Sequence, residues 1–163
     1  MNIETADKLK EEGDIIMSRY IYLGYRYADA SKKYQMAKNI YKFNMNYQRT
    51  MVCLLAELEC KILQDNNFIE KNDLYLEIAR NYLNIDKTKS FSWFERVILC
   101  HVLKGSMLKA ADICVELAEV HISLENKDYV IEWLEKARGL YMGENMPNLV
   151  LKCSNKIDEL KLD

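Results

Sequence analysis

Five cysteines (Cys53, Cys60, Cys100, Cys114 and Cys153) and two histidines (His101 and His121) hold most of the chemical capacity of this 163-residue sequence. Such residues could ligate zinc, or a cysteine beside a histidine could serve as nucleophile and base. Their spacing supports neither use. No two cysteines form a CxxC pair, and neither histidine belongs to a ligand-spaced set. Cys53 and Cys60 lie two helical turns apart, on one face, as residues sharing a core do. An odd number of thiols, each inside a helical pattern, points to buried free cysteines in a reducing compartment. Catalysis would need a nucleophile with its base, converging carboxylates or a glycine-rich phosphate loop. None is present: Gly139 and Gly143 form no phosphate motif, and the Asp and Glu residues fall mostly on solvent faces. The residues therefore read as those of a protein that is not an enzyme and takes no metal and no cofactor.

Half of the chain is apolar, 29% is charged, and five glycines and one proline are few, a balance that favours long helices. A net charge of −2 gives no bulk attraction to nucleic acid. No apolar run approaches the ~20 residues that span a bilayer. The N-terminal MNIETADKLKEEGD is acidic and polar, unlike a signal peptide.

The elements that carry these residues are helices. Between Gly105 and Asn145, Lys109, Asp112, Glu116, Glu119 and Ser123 form one polar stripe on an otherwise apolar helix, which must have neighbours on two sides. The turn Glu125–Asp128 ends it. A second helix follows with Val130, Ile131, Leu134, Ala137 and Tyr141 on its inner face, and Gly143 is expected as its C-cap. Elsewhere the spacing predicts helices over about 3–18, 27–44, 47–63, 68–83, 90–103 and from Asn145 or Pro147 to the end. No stretch alternates at period two, so strands are not expected. An alanine followed by a ring recurs at Ala37/Tyr41, Ala79/Tyr82, Ala118/His121 and Ala137/Tyr141, the first three at spacings near 40 residues. The fold class is thus all-α: about eight helices forming tetratricopeptide-like hairpin repeats, stacked into a twisted right-handed superhelical sheet as a single domain over 1–163. A compact helical bundle is the other arrangement with the same pattern.

The stretch GSMLKAADICVELAEVHISLENKDYVIEWLEKARGLYMGEN, followed by Lys152-Cys153, resembles the soluble NSF attachment proteins of the alpha/beta type. The likeness runs colinearly from Tyr27 to the end. It includes Tyr34, Asn46, Tyr47, Asp86, Gly105, Ala110-Ala111, Ala118-Glu119, Glu135, Tyr141 and Gly143-Glu144. The resemblance implies an adaptor without catalysis, cytoplasmic and peripheral on vesicle and target membranes. Its partners would be a SNARE four-helix bundle, the NSF-type AAA ATPase and, weakly, the membrane surface. The family's apolar membrane loop aligns with the stretch at about 15–26, which makes Ile16, Tyr20, Ile21, Tyr22, Leu23 and Tyr25 the membrane-binding residues. Taken without the resemblance, those side chains read rather as the cover of the first hairpin. Among the basic residues with which the family grips SNAREs, Lys152 is retained, whereas Asp112, Ser106 and Met45 stand where the family has cations. Family members are nearly twice this length, and their C-terminal ATPase-contacting bundle has no counterpart after Asp163. Other readings of the same repeats are a tetratricopeptide-type peptide-binding scaffold and a scaffold subunit of a vesicle coat.

Overall fold

The computed structural model describes residues 2–19, 25–65 and 71–162. Among them the chain is all-α, with eight α-helices and no strand: α1 (Ile3–Ser18), α2 (Arg26–Phe43), α3 (Tyr47–Gln64), α4 (Asn72–Tyr82), α5 (Lys87–Leu103), α6 (Met107–Ile122), α7 (Lys127–Gly143) and α8 (Pro147–Leu162). It divides into two compact units, Met1–Trp93 and Phe94–Asp163.

Three helix starts, those of α1, α3 and α5, carry side-chain caps. Asn2 Oδ1 accepts from Glu4 N at 3.1 Å and Asn46 Oδ1 from Arg49 N at 3.2 Å, which satisfies amide donors that have no helical partner. Asp86 does the same for Lys89 N at 3.1 Å. That cap starts α5 at Lys87, three residues before the expected Ser90. The expected start of α4 near Phe68 lies outside the described residues.

Four helices end identically. Met45, Gly105, Glu125 and Asn145 take φ of 54°, 71°, 55° and 56°. The amides that follow them (Asn46, Ser106, Asn126, Met146) donate to Tyr41, His101, His121 and Tyr141 carbonyls at 2.8–3.2 Å. This is the Schellman arrangement, with a left-handed residue just past the helix. Gly143, expected as the C-cap, stays inside α7, and Asn145 supplies the left-handed residue instead. Asparagine tolerates that conformation through its short polar side chain, so glycine is not required there.

In the first unit α1, α2 and α3 pack in succession and α3 packs on α4. Their core holds Ala6, Ala30, Tyr34, Ala37, Ile40, Tyr41, Cys53 and Cys60. Gly13 permits the close approach of α1 to α2, since a Cβ there would lie 2.8 Å from the Tyr34 ring. Between α2, α3 and α4 runs a buried ionic network. Lys38 Nζ reaches Glu57 at 3.1 Å and Glu77 at 2.8 Å. Gln35 Nε2 also donates to Glu57 at 2.6 Å, and Lys42 reaches Glu77 at 3.2 Å. Burial alone would lower Lys38 and raise Glu77. The hydrogen bonds and charges they exchange outweigh it, leaving the lysine above its ordinary range and the carboxyl below its own.

In the second unit α7 packs against both α6 and α8. The turns are short, so α6 and α8 each run antiparallel to α7 and hence parallel to each other. Ala110, Ala111, Ile113, Cys114, Leu117, Ala118, Val130, Trp133, Leu134, Ala137, Tyr141, Cys153 and Ile157 are buried. All five cysteines are free and buried. Burial pushes the thiols of Cys53, Cys60 and Cys114 up to about 11, which leaves them protonated and unreactive at neutral pH.

Candidate functional site

Two regions gather the residues singled out from the sequence. The first lies where α1 gives way to α2. α1 continues to Ser18, so Ile16 is helical and half-buried, packed against the core of Ala6, Ala30 and Tyr34. Tyr25, just before α2, is 76% exposed. Tyr20, Ile21, Tyr22 and Leu23 lie outside the described residues. Arg26 Nη1 donates to the Arg19 carbonyl at 3.0 Å, fastening the two flanks of that stretch to each other.

The second region is a groove of about 480 Å³ within the second unit. Val115, Ala118 and Ile122 of α6 form one wall, Leu149, Lys152, Lys156 and Glu159 of α8 the other, and Leu134 and Tyr141 of α7 the floor. The polar stripe of α6 places Glu119 on the rim, and the helical period of α8 carries Lys152 and Lys156 to the opposite rim one turn apart. Lys152 is exposed and forms no ion pair among the described residues. Lys156 is 3.6 Å from Glu159. The rim is therefore mixed in charge, with Lys152 standing open on α8.

The three positions read as departures from the family pattern, Asp112, Ser106 and Met45, behave differently. Asp112 accepts a hydrogen bond from Tyr141 Oη at 2.7 Å, across the α6–α7 hairpin. Burial, then this hydrogen bond and the carboxylate charge, push the Tyr141 hydroxyl well above the usual tyrosine range. Asp112 is thus the acceptor that a buried tyrosine requires. The same device recurs in the first unit, where Tyr41 Oη donates to Asp7 and burial with that bond moves its pKa up to about 12. Tyr34 Oη donates to Asp14 at 2.9 Å. Ser106 precedes α6 as the residue after the left-handed Gly105, and its side chain makes no cap bond. Met45 is itself left-handed and 73% exposed.

Sequence reasoning placed Asp7 and Asp112 on solvent faces and missed these pairs. A signal existed: each tyrosine closes an Ala-x-x-x-Tyr step in the second helix of a hairpin whose first helix carries an aspartate near its start. Among the described residues no cluster of His, Cys, Asp or Glu is arranged to hold a metal, and no helix is long and apolar enough to cross a membrane.

A family model described as "Soluble NSF attachment protein, SNAP" matches residues 2–163. The alpha-soluble NSF attachment protein of Vitis vinifera is 21% identical over 156 residues, covering 96% of this chain and 54% of its own length. The chain thus spans about half the length of the curated relative it matches.

Proposed function

Because the chain belongs to the soluble NSF attachment protein family, we propose that it acts as an adaptor in SNARE-complex disassembly and vesicle-mediated membrane fusion. In this role it binds the SNARE four-helix bundle, lies peripherally on the membrane and helps to recruit the NSF-type ATPase. The observation that carries the reading is Lys152. It is a fully presented cation with no intramolecular partner among the described residues, on a helix face bordering a groove. An unpaired rim cation attracts an acidic partner at long range and gives a salt-sensitive association. Asp112, engaged by Tyr141, supplies structure at a position where the family has a cation. The grip is therefore expected to be weaker than a fully basic face would give.

The membrane part of the proposal rests on Tyr25, whose exposed ring suits the headgroup boundary, together with Tyr20, Ile21, Tyr22 and Leu23. Ile16 contributes by anchoring the end of α1 in the core. So small an apolar insertion binds weakly and gains effective affinity when a SNARE complex is anchored in the same bilayer.

The test is a pull-down with a preassembled SNARE four-helix bundle at low and moderate salt, with single SNARE helices as controls. Bundle-selective, salt-sensitive capture that Lys152→Glu weakens is expected. Absence of capture at both salt levels refutes the SNARE reading. Liposome pelleting of the Ile21→Ser/Leu23→Ser variant tests the membrane part, which unchanged pelleting overturns.

A further inference from the structure

The groove of the second unit has walls that an acidic bundle surface does not explain. Its interior is apolar, from Val115, Ala118, Ile122, Leu134 and Leu149, and Ile122 is 44% exposed within it. At about 480 Å³ it falls in the size range of ligand-binding clefts. A four-helix bundle turns its apolar stripes inward and presents polar faces outward, so it cannot fill such a cleft. An extended peptide would leave its backbone N–H and C=O groups without partners against these apolar side chains, since helical walls offer no sheet edge, whereas a helix satisfies its own.

We propose that this groove docks a single amphipathic helix of a partner protein, one whose apolar stripe is flanked by acidic residues on one side and basic residues on the other. The charge requirement comes from the two walls. Glu119 on the α6 rim and Lys152 on the α8 rim are both exposed and take part in no ion pair among the described residues. Lys156 is already engaged by Glu159 at 3.6 Å. An incoming helix that places apolar side chains at i, i+3 or i+4 and i+7 between α6 and α8 sets its two flanks against opposite charges. A carboxylate belongs opposite Lys152 and a cation opposite Glu119. Reversing the helix end to end exchanges its flanks, so the same pair of charges also selects one of the two directions in which it can lie. This partner is distinct from the assembled bundle of the preceding proposal, and either can fail without the other.

The experiment uses fluorescence anisotropy of the full chain with three labelled, designed helices of about 18 residues sharing one apolar stripe. Their flanks are acidic/basic, acidic/acidic and basic/basic. At low ionic strength the mixed helix is expected to bind about threefold more tightly than either of the others, the size of effect that exposed charge pairs produce. Glu119→Lys should make the acidic/acidic helix the tightest, and Leu149→Asp should abolish binding of all three. The proposal is overturned if no helix binds, if the three bind equally, or if the acidic/acidic helix is already preferred by the unsubstituted protein.

Discussion

Replacing Lys38 by methionine tests the physics of the first unit most directly. Methionine keeps the length of the lysine stem and removes the charge that links α2 to α3 and α4. Glu57, only 2% exposed, would keep Gln35 at 2.6 Å and the more distant Lys61 at 3.6 Å. Glu77 would keep Lys42 at 3.2 Å. Breaking a buried ion pair by deleting one member costs about 3–5 kcal/mol, because the surviving charge is left desolvated. With Gln35 and Lys61 still serving Glu57, a loss of about 3 kcal/mol is expected. At a urea slope of about 1–3 kcal/mol per molar, the unfolding midpoint would fall by roughly 1–3 M. Circular dichroism during urea titration at neutral pH measures it. The charge-free pair Lys38→Met/Glu57→Gln should recover part of the loss, since neither side chain then carries a buried charge. A loss below about 0.5 kcal/mol, or no recovery in the double variant, would show that the network is solvated and refute the reasoning.

The same network sets a pH profile. The depressed Glu77 contributes stability that is present above about pH 4.3 and lost as pH falls through its lower folded value. The elevated Lys38 contributes stability present below about pH 10.4 and lost as pH rises through its higher folded value. The difference in urea midpoint between the unsubstituted protein and Lys38→Met should be flat between these limits and shrink outside them, since the thiols and His121 titrate alike in both. Gly13→Ala places a methyl 2.8 Å from the Tyr34 ring, which is buried and tied to Asp14. Overpacking of about 1–3 kcal/mol against a helix-propensity gain of about 1 predicts a net thermal destabilisation of about 1 kcal/mol, and a rise in melting temperature would contradict it. Trp133 is 6% exposed, with the Lys136 ammonium 3.8 Å above its ring. Trp133→Ala should cost about 3–5 kcal/mol, and an unchanged urea midpoint would place the ring outside the core.

Periodicity was enough to locate the helices, their turns and the burial of the five thiols, because apolar spacing is written locally. Tertiary partners decided the rest. Lys38 lies four residues after Tyr34 and three before Tyr41, on the buried face of α2, while Met36 beside it is exposed. A hydropathy pattern assigns these two the opposite way, and only Glu57 and Glu77, from other helices, make the buried lysine tenable. Gly143 was the natural left-handed residue on propensity, yet the turn needs one position two residues later, where Asn145 sits. The early start of α5 turned on one side-chain oxygen of Asp86. At the candidate site, Lys152 was singled out by the family resemblance alone, whereas the groove it borders had no local signal in the chain. The groove arises from α6 and α8 both packing on α7, a non-local event.

The tyrosine–aspartate bonds bear on how these helices come apart. In each of two hairpins one end is closed, by the Arg26–Arg19 hydrogen bond or by the turn over 123–126, and the hydroxyl of Tyr41 or Tyr141 fastens the other to Asp7 or Asp112. Helix ends ordinarily fray, and their amides exchange with solvent long before the middle does. Held at both ends, α1–α2 and α6–α7 should each open only as a unit, with the last turns of α2 and α7 exchanging nearly as slowly as their centres. α8, whose far end is tied to α7 by the exposed Lys161–Glu135 ion pair at 3.6 Å rather than by a buried hydroxyl, should exchange in a gradient toward Leu162.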